Sequence, residues 1–412
     1  MNNELDRNRK AALERAKELK ATIKDYLAES SKIKTGLSLK EELNNNKAEI
    51  MTKMQATDDQ WNNWHWQLNN RITTIKKLKT FIELPEKRLE EIKNVGKRYR
   101  WAISPYFLSL IDPDDPNCVI SKQSLPSSLE LQDFGGKLDP MAEELTNPAG
   151  NITRRYPDRL IIKLTNVCGM FCRHCQRRRE IGQTDHHQTQ EEIKESIEYI
   201  KNNQEIRDVL LTGGDPLTMT NNQLEAVLKE LKAIDHVEII RIGSRIPVTM
   251  PQRITDELCE MLEKFHPLYM NIQVNHPKEL TEEVFQATNK ISKAGIPLGN
   301  QAVLLKGIND NPHIMKKLNQ ELLKARVKPY YIFHAKKVKG TGHFRTSVST
   351  GINIMENLRG YTSGMAIPTY IINAPGGFGK TPINPIYKIS QSNEHIKIRT
   401  WEGRIIDYPD SK

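Results

Sequence analysis

Cys168, Cys172 and Cys175 lie in the run KLTNVCGMFCRHCQRRR, a C-x3-C-x2-C spacing that uses three of the five cysteines in the 412-residue chain. Three thiolates hold three irons of a 4Fe-4S cube and leave the fourth iron open to a ligand, whereas an electron carrier supplies all four. An open iron is a reactive site. The competing chemistry is a zinc knuckle of three Cys and a His, with His174 as fourth ligand. His174 is directly beside Cys175, however, and structural zinc sites take their ligands in two separated pairs, so the spacing favours the cluster.

Two further runs carry chemistry. In LLTGGDPL (210–217), Gly213 and Gly214 allow the backbone to approach a ligand closely, and Asp215 offers a carboxylate to an ammonium or hydroxyl. NAPGGFGKTPINP (373–385) satisfies a loosened phosphate-loop pattern, but such a loop runs into a helix, which Pro382 and Pro385 forbid. What remains is Lys380 on a glycine-rich turn after the strand TYIIN. A lysine so placed is either a solvated charge or an amine that forms a Schiff base with pyridoxal phosphate (PLP).

The elements that position these runs alternate. Short apolar stretches at 159–165, 208–213, 237–243, 268–274, 297–305 and 329–334 read as strands, and the segments between them place apolar residues at helical intervals. Strand and helix in turn mean an α/β fold with parallel strands and helical crossovers. Six units make a partial (β/α)6 barrel, with its chemistry just after the strands. The spacing predicts this barrel over 151–375, completed by a C-terminal segment at 376–412 that carries Lys380. A helical region covers 58–150, where Trp61, Trp64 and Trp66 read as packing anchors. Residues 1–57 form a charged extension whose heptad-like steps (4–29) suit equally a helix on a partner chain and one folded back on its own domain.

Composition sets the compartment and narrows the partners. The chain is 37% hydrophobic and 27% charged, no apolar run reaches membrane-spanning length, and the polar start lacks a signal-peptide core. A cytoplasmic protein without membrane association is expected, its free thiols kept reduced; Cys259 reads as a core residue. The formal charge of +10 is spread among acids rather than gathered in an aromatic-studded stripe, so no nucleic-acid partner is expected. Arg173, Arg177, Arg178 and Arg179 are the exception, clustered where anionic cofactors would sit.

From about residue 58 to residue 408 the chain resembles the lysine 2,3-aminomutase family of radical S-adenosylmethionine (SAM), PLP-dependent enzymes. The matching runs are WNNWHWQLNNRI, RRYPDRLIIKLTNVCGMFCRHCQRRR, LLTGGDPL, RIGSRIPVTMPQRIT, GIPLGNQAVLLKGIND, HFRT, NLRGYTSG and NAPGGFGKTP. The resemblance implies that an open iron chelates SAM, that a 5'-deoxyadenosyl radical takes a β-hydrogen from an amino acid held on PLP, and that the nitrogen migrates from C2 to C3. It implies cluster ligands at Cys168, Cys172 and Cys175 and the PLP lysine at Lys380. It also implies a PLP grip by Arg155, Tyr156 and Arg159, contacts to SAM from Gly213, Gly214 and Asp215, a cofactor-lining Gln301, and Arg177 on the substrate α-carboxylate. An electron donor such as a flavodoxin or ferredoxin and a homo-oligomeric state follow from the same likeness.

Two departures bear on substrate and metal. Lysine aminomutases grip the distal ammonium with two aspartates; the corresponding positions here are Lys336 and Asn373. A buried charge without its counter-charge costs about 3–5 kcal/mol, which at about 1.4 kcal/mol per tenfold disfavours lysine by roughly two to three orders of magnitude. A cation and an amide donor suit a distal carboxylate, so the resemblance implies the glutamate branch of the family, forming β-glutamate (3-aminoglutarate) from L-glutamate. Lys337 and Lys339 share the HAKKVKG run, and either one turned inward would displace Lys336 from this role. Secondly, Asn311 stands where relatives have a zinc-binding cysteine, so no zinc is expected. The rival functions are a lysine 2,3-aminomutase with other acids in its pocket, a radical SAM enzyme without PLP, and a non-catalytic metal-binding module.

Overall fold

The computed structural model describes residues 2–132 and 134–410. Its centre is a nine-stranded sheet in consecutive order: β1 (Ile152–Arg154), β2 (Arg159–Lys163), β3 (Asp208–Thr212), β4 (Ile239–Ser244), β5 (Leu268–Ile272), β6 (Leu298–Leu304), β7 (Lys328–His334), β8 (Thr369–Asn373) and β9 (Lys380–Pro382). β2 to β8 run parallel, while β1 and β9 add antiparallel at the two edges. The edges do not pair with each other, so the sheet curls into an open half-barrel. The six predicted strands are β2 to β7, and TYIIN extends the parallel set as β8.

Alternation explains the layering. In β2 Leu160 and Ile162 are buried against the helices, and Ile161 faces the barrel interior; β3 repeats this with Val209 and Leu211 outward and Leu210 inward. The crossover helices present one apolar stripe each, as in Gln190–Lys201 with Ile193, Ile197 and Ile200 buried. Thr189, Thr220, Thr255 and Thr281 cap four of them by accepting backbone N–H groups, each cap contributing about 1 kcal/mol. Asn311 does the same for Pro312–Lys324, accepting from His313 N at 2.8 Å. Cys259 is buried on its helix as expected.

The N-terminal part is helical. Trp61 is fully buried and tilted against Trp66, and Trp64 lies 4.5 Å beneath the buried Arg253 guanidinium. The leading helix, Asn2–Thr22, leaves Leu5, Leu13 and Leu19 exposed. It touches its own chain through Arg15 and Glu402, and the next helix, Lys24–Ser30, buries Tyr26 beneath the Lys316 ammonium at 4.5 Å. From Lys40–Met54 onward the chain is part of the main core through Leu43 and Ile50. At the other end, β10 (Lys388–Gln391), β11 (His395–Arg399) and β12 (Ile405–Pro409) form a separate antiparallel sheet. No helix of the described residues is long and apolar enough to cross a membrane.

Candidate active site

A cavity of about 290 Å³ fills the half-barrel at the C-terminal ends of the strands. One wall holds Cys168, Cys172 and Cys175, in the loop after β2. Gly213, Gly214 and Asp215 follow β3, Gln301 comes from β6, and Lys336 follows β7; Asn373 and Lys380 sit on β8 and β9, with Arg155 and Arg177 beside them. Of the residues singled out from sequence, Tyr156 and Arg159 do not line it directly, nor do Arg173, Arg178 and Arg179 of the arginine cluster. Tyr156 and Arg159 support it: the Tyr156 hydroxyl accepts the Lys380 backbone N–H at 2.7 Å, and the Arg159 guanidinium lies 4.0 Å over the Tyr156 ring.

The cysteine loop is held by the helical region. Phe171 N donates to Ala102 O and Arg173 N to Gln123 O, and Arg71 Nη1 donates to Cys168 O at 2.7 Å. Glu130, fully buried, takes both Arg173 and Arg178. These two arginines are therefore structural. Arg245, buried at the end of β4, donates from Nη1 to Cys172 Sγ at 2.8 Å and from Nη2 to Glu279 at 2.9 Å. Burial pushes the Cys168 and Cys175 thiols up, Cys175 to about 11. Three sulfurs on one cavity wall, with cationic and backbone donors behind them, fit the donor set of a three-cysteine iron–sulfur cluster.

The GGDP segment departs from its sequence reading. Asp215 was expected to offer its carboxylate to a ligand, but its four acceptor positions are taken. Oδ1 accepts from Leu217 N and Ser244 Oγ, and Oδ2 from Arg245 N and Ile246 N, at 2.6 to 3.1 Å. It ties the β3 and β4 loops together. The glycines approach protein backbone: a Cβ on Gly213, where φ is +133°, would stand 2.4 Å from Thr165 O, and one on Gly214 would stand 2.4 Å from Val167 O. Both carbonyls belong to the segment that launches the cysteine loop, so the glycines also set where the sulfurs stand.

Asn373 and Lys380 face each other across the β8–β9 ribbon, and Gly376, Gly377 and Gly379 between them all have positive φ. The Lys380 ammonium lies 5.3 Å from the Tyr331 ring and 5.8 Å from Phe333; burial and the charges of Arg241, Arg159 and Arg155 hold it down at about 8. Lys336 also lies 5.8 Å from the Phe333 ring, and burial, Arg177 and Arg155 lower it to about 7. Lys337 and Lys339 are exposed, so Lys336 is the inward lysine of its run. Asn373 Nδ2 and Arg155 Nε are buried with no partner among the described residues. Such orphaned donors beside a lysine of lowered pKa fit an anionic, lysine-bound cofactor such as PLP.

Glu143 was not foreseen. It is 3% exposed, and both its oxygens accept from Arg177 Nε at 3.1 Å, with Arg177 Nη2 at 3.0 Å and Arg155 Nη2 at 3.3 Å. Burial works against its charge, but Arg177, Arg155 and Lys336 outweigh it and hold the carboxyl at about 2. The preceding Ala142 has φ +50°, a left-handed conformation that costs a non-glycine residue about 1 kcal/mol or more. The sequence signal available was the arginine cluster, since so many buried cations demand a buried acid.

Comparison with known proteins gives the family. A family model described as the radical SAM superfamily matches residues 162–318, and one described as lysine-2,3-aminomutase matches 355–412. Glutamate 2,3-aminomutase from Clostridioides difficile (strain 630) is 57% identical over 399 residues, covering 97% of this chain and 94% of that protein. L-lysine 2,3-aminomutase from Clostridium subterminale is 49% identical, covering 86% of each chain, and that from Bacillus subtilis (strain 168) is 46% identical, covering 88% of this chain and 77% of the relative. Likeness at this level and over this length places the chain in the radical SAM 2,3-aminomutase family, a family of isomerases.

Proposed function

We propose that the protein is a glutamate 2,3-aminomutase, holding a 4Fe-4S cluster on Cys168, Cys172 and Cys175, SAM at its open iron, and PLP on Lys380. When bound, the cluster with SAM supplies a carbon-centred radical able to remove a β-hydrogen, and PLP supplies the π-system through which nitrogen moves from C2 to C3. The protein's own residues bind and orient. Lys380, with its ammonium held near pH 8, is partly neutral at physiological pH and so able to bond a carbonyl carbon. Arg155, Arg159 and Tyr156 gather around it and suit a phosphate. Arg177 uses its Nε edge on Glu143 and keeps Nη1 for the substrate α-carboxylate.

The observation that carries the choice of substrate is the charge of the cavity wall. Lys336 and the unpartnered Asn373 amide face the cavity, whereas the acids lining it are engaged. Asp215 has its four donors, and Glu180 pairs with Lys163 at 2.9 Å and Arg179 at 3.2 Å. Glu143 is committed to Arg177. A distal carboxylate thus finds a cation and an amide, while a distal ammonium finds no free acid among the described residues. L-glutamate fits and β-glutamate is the expected product, in line with the name of the 57% identical relative.

The test incubates reduced enzyme anaerobically with SAM, PLP and either glutamate or lysine. β-Glutamate should form and β-lysine should not; faster conversion of lysine overturns the reading. Lys380→Ala should abolish the visible absorbance that PLP gains on bonding the enzyme, and its retention would exclude Lys380 as the anchor.

A further inference from the structure

Cys172 lies between two cavities. With Cys168 and Cys175 it lines the barrel interior, but it alone of the three also lines a second pocket of about 180 Å³ that opens on the outside of the cysteine loop. Arg98, Leu138 and Lys339 stand around this outer pocket, all exposed. Lys137 and Lys337 adjoin it through a backbone bridge, with Lys137 N donating to Lys337 O at 3.0 Å and Lys339 N to Lys137 O at 2.9 Å. The deeper cations are neutralised, Arg173 and Arg178 by Glu130 and Arg100 by Asp185. The outer ones carry no ion pair among the described residues. Leu138, which lines the pocket, is 62% exposed, and Phe134, three residues from Lys137 in the chain, is 43% exposed.

Exposed apolar side chains beside cations that have no ion pair among the described residues are the complement of a protein with an acidic, apolar-centred face. We propose that this surface docks an acidic one-electron carrier protein and that Cys172 is the point of electron entry to the cluster. The inference rests on the radical SAM reading above. It assigns the donor to the outer side of the loop, so that docking leaves the substrate cavity free. The step is a bare electron transfer: the donor is oxidised by one electron, the cluster is reduced by one, and no bond or proton moves at the surface. The basic rim steers the approach, and the open pocket shortens the path to sulfur.

The test uses reconstituted holoenzyme and a reduced flavodoxin as the carrier, reading 5'-deoxyadenosine formed from SAM. In the triple variant Arg98→Glu, Lys137→Glu, Lys339→Glu, the KM for flavodoxin should rise on the order of tenfold at low ionic strength, while the rate with dithionite stays unchanged. In the unmodified protein the flavodoxin KM should itself rise several-fold with salt and the dithionite rate should not. A flavodoxin KM that moves less than twofold in both experiments overturns the docking site. So does a fall in molar mass of the variant by light scattering, which would make this face a contact between copies. Failure of the unmodified enzyme to cleave SAM with dithionite would instead remove the underlying reading, and the docking site with it.

Discussion

Replacing Lys336 by Met removes one charge at nearly constant length and isolates the electrostatic reading of the cavity. A buried carboxylate stripped of its counter-ion loses about 3–5 kcal/mol. Arg177 and Arg155 remain close enough to depress Lys336 itself, and the Asn373 amide is still free to donate, so the lower end applies. About 3 kcal/mol is roughly a hundredfold in kcat/KM for glutamate, carried mainly by KM. The pH dependence carries a second signature. Lys336 is protonated below about 7, and a bound carboxylate favours that form. The KM of the unmodified enzyme should therefore be flat below pH 7 and rise above it, until the pH exceeds the higher pKa that Lys336 acquires in the complex. Lys336→Met should lack this break. The assay is anaerobic formation of β-glutamate at saturating SAM and PLP from pH 6 to 9. A loss under fivefold, or a break near pH 7 that survives the substitution, would refute the assignment.

Other outcomes follow from the same geometry. The double variant Lys336→Asp, Asn373→Asp inverts the charge of the wall and should shift the kcat/KM ratio toward lysine by at least tenfold, measured by competition. Glu143→Gln leaves Arg177 without its counter-charge and lowers the Lys336 pKa further, so the glutamate KM should rise and its pH break move down. Glu143, held at about 2 against an ordinary 4.5, contributes stability that is complete above about pH 4.5 and lost as pH falls toward 2; thermal melts of Glu143→Gln should show a weaker acid dependence across that window. Gly213→Ala places a methyl 2.4 Å from Thr165 O at a forbidden φ. We expect a loss of about 3 kcal/mol or more and a drop in bound iron after reconstitution.

The parallel strands and their helices were legible because each buries one face in a regular period, and the elements fall within a few residues of the predicted spans. The edge strands were not: β1 and β9 have three residues each, too few for a period, and they exist because the ends of the sheet need partners. Motif context singled out residues that the fold brings to one cavity, as for the cysteines, Lys380 and Arg155 of the RRYPDR run. It failed where the partner is distant in sequence. Glu143 meets Arg177 across 34 residues from a stretch, MAEEL, that looks like ordinary polar surface. The anchoring of Asp215 was hidden for a related reason, since its four donors arrive from its own turn and from the end of β4 and the loop after it, and nothing in LLTGGDPL announces the second set.

In the proposed function, the β8–β9 ribbon brings two jobs under one mechanical constraint. Strand pairing fixes which residues share a side, and sliding one strand by a single position would turn Lys380 away from the barrel together with the alignment of Asn373. On the roles proposed for Lys380 and Asn373, cofactor anchorage and side-chain discrimination are thus inherited as a unit, apart from the sulfur-bearing loop after β2. A lineage could retune what the enzyme accepts by altering this hairpin and the β7 loop, leaving the machinery that generates the radical untouched.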